Sequence, residues 1–166
     1  RSPASAPLTR PRRLMAHFVS IDAAGHKYNF SWNEDYLGQI RTVDVLVGHV
    51  LAAVHAAVLE RGDEWLVIVT SDHGGHDLKH GDVWREDEVV PFMVGRYARA
   101  ARTELGDLEA PVRHFDAAPT VLAWLGLSHE LQGALDGRPQ ALPEGGGGGP
   151  RLEPGRAAAD GRLCLL

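Results

Sequence analysis

Residues 65–75 read WLVIVTSDHGG. The run Trp65–Thr70 is continuous, rich in branched side chains and too short for a core helix, so it predicts a buried interior strand. It breaks at Ser71-Asp72-His73-Gly74-Gly75, where polar groups and two glycines take over. Upstream, from Asn33 to about Arg61, Tyr36, Leu37, Ile40, Val43, Val47, Val50, Leu51, Val54, Val58 and Leu59 recur at three- and four-residue spacing. That is a helix, with Asn33 to cap it and Gly62 to stop it. Further back, Leu14–Asp22 (LMAHFVSID) reads as another buried strand, ended by AAGH. Downstream, glycine-rich polar sequence from Asp72 to Asp87 leads to a third short strand over Val89–Val94. Asp116–Leu125 then predicts a helix with Asp116 as N-cap and Gly126 as its stop. This alternation is an α/β order. Strands this apolar predict a mostly parallel sheet flanked by helices, and such sheets place ligands at the carboxyl ends of their strands. Both polar clusters, Asp22–His26 and Ser71–Asp82, fall there.

Composition narrows the class. With 166 residues and 44% hydrophobic content the chain can bury one real core. A net charge of −5 without a basic stripe argues against a nucleic-acid polymer as partner. A small molecule fits better. No stretch reads as long and apolar enough to span a bilayer, so no membrane segment is expected. Cys164 is the only cysteine, which excludes an internal disulfide and gives no CxxC metal site. The expected organisation is a flexible arm over residues 1–13, one domain over 14–140, and a disordered glycine-rich C-terminal tail over 141–166, whose five consecutive glycines cannot hold a packed element. The arm has no apolar signal-like region, and localisation and oligomeric state stay open.

The chemistry-bearing residues sit in the two clusters. Asp22-Ala23-Ala24-Gly25-His26 places a carboxylate and an imidazole four residues apart, and Gly25 is read as permitting a tight turn that lets both reach one point. Carboxylate oxygen and imidazole nitrogen together suit a metal such as zinc, although a cap and a surface imidazole would look the same. In the second cluster Asp72 and His73 are adjacent and are followed by His76, Asp77, His80 and Asp82. Neighbouring Asp and His can share one ion only if the backbone bends between them, which the glycine pair allows. Elsewhere the bland readings are preferred. His17, His49 and His55 are read as core or surface histidines, and His114 and His129 as loop or surface residues. Asp44 is read as a cap or ion-pair partner, and Trp65 and Trp124 as core. Trp32 and Trp84 are left as candidates to line a site, and Arg96, Arg99 and Arg102 are read as a solvated helix face. Asp136-Gly137-Arg138-Pro139 is read as a structural turn.

Taken together, DxxGH after one strand, SDHGG after the next, a later His in HGDVWREDEVVPFMV and a D-x-A-P-T-V-L-x-x-L-G-L segment resemble the alkaline phosphatase superfamily. The branch they are most similar to is the type I phosphodiesterase/nucleotide pyrophosphatase group, over about Leu14–Pro139. The resemblance implies a metal-dependent hydrolase of phosphoric esters with a small phosphate ester as substrate. It also implies two divalent ions, zinc in the first place and manganese as the alternative. One ion would be held by Asp22, His26 and His80, with His80 set ahead of His76, and the other by Asp72 and His73. Such ions lie ~4 Å apart around an in-line phosphoryl transfer. The family's Ser or Thr nucleophile finds no match here. Ser2, Ser5 and Thr9 lie in the Pro-rich arm, so the chain is expected to be a fragment, the C-terminal portion of such an enzyme, with no catalytic nucleophile assigned. The alternatives are a sulfatase-like hydrolase and a non-catalytic metal-binding remnant of the fold.

Overall fold

The structure, a computed structural model, describes residues 13–99, 108, 111–127 and 134–140 and the backbone of 162–165. In chain order its elements are β1 (Arg13–Leu14), α1 (Ser20–Tyr28), α2 (Glu34–Arg61), β2 (Glu64–Thr70), α3 (Arg85–Glu88), β3 (Phe92–Tyr97), a 3-10 turn over His114–Asp116, α4 (Ala117–Trp124) and β4 (Arg162–Leu165). The chain is of the α/β class.

β2 organises the core because its side chains alternate between two faces. Trp65 and Val67 pack against Val54 and Val58 of α2. Leu66 and Ile68, on the opposite face, pack against Val121 and Trp124 of α4. Leu66 and Ile68 are among the largest fully buried side chains, so helices cover β2 from both sides. α2 forms as its caps dictate. The Asn33 side-chain oxygen accepts from the Tyr36 amide at 2.9 Å, and Gly62 closes the helix in the left-handed region at φ 69°. Between Val43 and Leu59 the only formal charge is Asp44, and by length and composition α2 is long and apolar enough to cross a membrane, which the sequence reading did not expect. Val54 and Val58 of the same helix pack into the core.

Four expectations change. The predicted strand Leu14–Asp22 is a strand only at Arg13–Leu14. Residues 15–19 alternate exposed and half-buried without joining a ladder, and Ser20 onward is helix, since Ala23, Ala24 and Lys27 favour that conformation. The third strand starts three residues later than expected, after Pro91, whose missing amide hydrogen suits a strand's edge and not its ladder. It runs antiparallel to β2, from Trp65 opposite Tyr97 to Thr70 opposite Phe92, so the sheet is mixed and its longest ladder is antiparallel, where parallel pairing was expected. The connection between these strands holds only the single turn of α3 and not the longer helix that usually carries a parallel crossover. Finally, Arg162–Leu165, inside the expected disordered tail, forms β4, which lies between β1 and β2 and is parallel to both. The rest of that tail and residues 1–12 of the arm, with Ser2, Ser5 and Thr9, lie outside the described residues, as do His129 and Arg102.

The DGRP turn is structural as expected, and Asp116 is its anchor. Asp116 is 3% exposed. Rather than capping α4, its carboxylate accepts from the Arg113 amide at 2.9 Å, the Arg138 amide at 2.9 Å and the Gln140 side-chain nitrogen at 3.1 Å. Burial alone would raise its pKa, but the amides of Arg138 and Arg113 and their positive charges outweigh it and hold the carboxyl below its ordinary value. A depressed folded-state pKa contributes stability above the unfolded value of about 4, and that contribution is lost as pH falls through the folded value. Asp116→Ala, which strands three donors, should cost on the order of 2–3 kcal/mol in chemical denaturation at neutral pH. Asp116→Asn should flatten the acid limb of the stability profile, and an unchanged limb would remove Asp116 as its cause.

Candidate metal centre

Because α1 is a helix, Asp22 and His26 are one turn apart and share a face. Gly25 therefore does not act through a tight turn, as the sequence reading supposed. Its role is steric. A Cβ on Gly25 would overlap the Phe30 ring, and one on Gly75 would lie 2.6 Å from it. Phe30 thus sits between α1 and the loop after β2, edge-on to His26 at 5.5 Å between centroids and to His80 at 6.2 Å. The turn that delivers it is held by the Asn33 side-chain amide, which donates to the carbonyls of Tyr28 and Asn29. Phe30 is a site residue that the sequence reading missed, and its only signal is the pair of glycines that make room for it.

One backbone and one side-chain hydrogen bond join α1 and its C-terminal turn to the 71–82 loop. The Phe30 amide donates to the Asp77 carbonyl at 2.7 Å, and His26 Nδ1 lies 2.8 Å from the Leu78 carbonyl. A carbonyl only accepts, so Nδ1 of His26 carries the hydrogen, and in the neutral ring Nε2 presents a lone pair. The same holds for His73, whose Nδ1 is 2.7 Å from the Gly74 carbonyl. Both Nε2 atoms then face a single carboxylate oxygen. Asp22 Oδ1 is 3.4 Å from His26 Nε2, 3.5 Å from His80 Nε2 and 3.9 Å from His73 Nε2. Asp22 Oδ1 is itself buried without a hydrogen-bond partner. Lone pairs turned toward an anion repel it unless a cation or protons lie between them. Asp22, His26 and His80 each offer a donor atom, and these lie within 4.8 Å of one another.

The second pair is adjacent. His73 Nε2 is 3.7 Å from Asp72 Oδ2, and the His73 and His80 rings stack at 3.7 Å between centroids. Burial alone would raise the pKa of Asp72. Its own backbone amide and that of His73, with the charge of the His73 and His17 rings, outweigh burial and lower it. His17, read from sequence as a strand histidine, is thus within electrostatic reach of the site. His76 is not in the cluster. Its Nδ1 meets Asp87 Oδ1 at 2.7 Å, and its ring stacks on Trp84. Trp84 therefore touches the His76 side of the loop, while Trp32 stands 91% exposed. The arginine run is not a helix face, since Arg96 lies in β3 and pairs with Glu64 at 3.0 Å, and Arg99 donates to the Leu59 carbonyl.

The Phe30 wedge makes a measurable claim. Gly25→Ala should destabilise the fold by about 1–3 kcal/mol through overpacking. In the double variant Gly25→Ala/Phe30→Ala much of that cost should disappear, so a double-mutant cycle by denaturation is expected to be strongly non-additive. Additive costs would show that the methyl group meets no ring.

Residues 2–116 match the family described as type I phosphodiesterase/nucleotide pyrophosphatase. No curated protein and no solved structure matches the chain. The family match covers more than half of the 166 residues and includes both donor clusters. The chain therefore belongs to the type I phosphodiesterase/nucleotide pyrophosphatase family, a family of phosphoric-ester hydrolases.

Proposed function

We propose that this chain carries the metal-binding part of a phosphoric-ester hydrolase site, with Asp22, His26 and His80 holding one divalent cation and Asp72 and His73 contributing to a second. The observation that carries the reading is Asp22 Oδ1, buried and unpartnered, with three imidazole Nε2 atoms 3.4–3.9 Å away. One carboxylate and two imidazoles suit zinc, with manganese as the alternative. A cation bound there would supply Lewis-acid stabilisation of a phosphoryl oxygen and of the oxygen that attacks or departs. The protein's own part is orientation. The Leu78 and Gly74 carbonyls fix the His26 and His73 tautomers, so both rings present Nε2 as a ligand without a rearrangement. Three protein ligands leave a coordination position free, and the Asp22 and His26 side chains are 42% and 44% exposed, open to a small phosphate ester. None of the five residues is an attacking hydroxyl. Ser71, beside the pair, donates to the His73 carbonyl at 2.8 Å.

Calorimetry with zinc tests the reading. The protein should show one tight site, weakened by about 100-fold or more in His80→Ala and in His26→Ala and unchanged in His55→Ala on the outer face of α2. Equal affinity in all of them would overturn it. Because no nucleophile is assigned, the 166-residue chain is expected to give no zinc-stimulated hydrolysis of bis-p-nitrophenyl phosphate. Turnover that disappears in His26→Ala would instead place the attacking group within these residues.

A further inference from the structure

The residues of the candidate centre are delivered by a loop that has little reason to hold its shape. Residues 71–82 include Gly74, Gly75 and Gly81, and their internal pairing is one isolated bridge between His76 and Lys79. We propose that Asp87 is the positioning residue of this site, acting through His76 and the loop backbone to hold His73 and His80 on Asp22. The inference rests on the metal-binding reading above.

Asp87 is 5% exposed and lies in the single turn of α3, outside the cluster itself. Both carboxylate oxygens are engaged with the loop. Oδ1 accepts from His76 Nδ1 at 2.7 Å, and Oδ2 accepts from the Asp82 amide at 2.9 Å. Its backbone carbonyl takes the Gly74 amide at 2.8 Å, and the neighbouring Glu86 carbonyl takes the Gly75 amide at 2.9 Å. These contacts grip the loop just after His73, at its middle, and just after His80. The approach at the first grip is so close that a Cβ on Gly74 would run into the Glu86 carbonyl. His76, whose side chain is only 10% exposed and rests on Trp84, transmits the grip to the loop's centre. With both arms fixed, the His73 and His80 rings stack, and their Nε2 atoms reach the same carboxylate oxygen. A side chain so placed touches neither metal nor substrate, but it sets the distance between their ligands, and partners of this kind are commonly worth 10–100-fold in metal affinity.

Cobalt(II) titration of the full chain tests this, read by affinity and by the visible absorption band, whose intensity follows coordination geometry. Asp87→Ala should weaken cobalt binding about 10–100-fold and alter the band, with circular dichroism unchanged. Asp87→Asn should restore both to within about threefold, because an Asn oxygen still takes the Asp82 amide while its nitrogen donates to a His76 ring of the other tautomer. His76→Phe, which keeps the stack on Trp84 but loses the Nδ1 bond, should weaken binding about 10-fold, and it decides the matter if Asp87→Ala does not fold. Wild-type affinity and band in both Asp87→Ala and His76→Phe, with binding still lost in His80→Ala, would overturn the role of Asp87 alone. Failure of the wild-type chain to bind cobalt would overturn the metal-binding reading and this inference together.

Discussion

One carboxylate oxygen facing three ring nitrogens sets the terms for everything around it. Asp22 Oδ1 is shielded from water, makes no hydrogen bond, and lies 3.4–3.9 Å from three imidazole nitrogens. A protein can tolerate that arrangement only if positive charge fills the gap, and two of the nitrogens are turned inward by bonds from their far side. The backbone carbonyls of Leu78 and Gly74 therefore matter as much as the side chains around Asp22, because they decide which nitrogen of the His26 and His73 rings faces the carboxylate. This is why the loop must be exact in its backbone and not only in its side chains.

The steric arrangement follows from the same requirement. Asp22 and His26 stand on a helix and His73 and His80 on a loop, so something must set the gap between the two. Phe30 does so, with glycine on both sides of its ring and a backbone bond from its own amide to Asp77. A glycine in a helix costs roughly 0.5–1 kcal/mol relative to alanine, which is less than the overlap that any side chain would create at this contact. The glycines of GH and HGG are therefore packing residues first, and only secondarily points of backbone freedom.

Legibility divides along physical lines. β2 and α2 could be read closely because each is defined by its own run of apolar residues and by its own caps, Asn33 and Gly62. Motif order also picked out side chains that the structure brings together, with the His26, His80 and His73 rings around Asp22 and His76 turned to Asp87 instead. What failed depended on partners. Leu14–Asp22 has strand composition but too little ladder to join, and Ser20–Tyr28 became helix. The direction of β3 is a property of the connection after β2, which looked from sequence like an undifferentiated glycine-rich stretch. Arg96, Arg99 and Arg102 have helical spacing, yet β3 claims Arg96 because its neighbours pair with β2. Phe30 and Asp87 had no periodicity to mark them, since each acts through contacts with residues distant from it in the sequence.

The antiparallel return has a consequence for the site that a parallel crossover would not share. β3 begins at Phe92 opposite Thr70, the last residue of β2, so both ends of the intervening loop are pinned at the same level of the sheet. Thr70 reinforces this by donating its hydroxyl to the Pro91 carbonyl at 2.9 Å. The loop thus starts and finishes beside the carboxyl end of β2, with Asp72 and His73 leaving one strand and Asp87 leading into the next. Asp72 and His73 are far from Asp87 only along the loop's contour. Across its base they are neighbours, and the rigidity of the β2–β3 ladder passes to both. The core packing of Leu66 and Ile68 against α4, and of Trp65 and Val67 against α2, then bears on the Asp22 cluster through strand geometry.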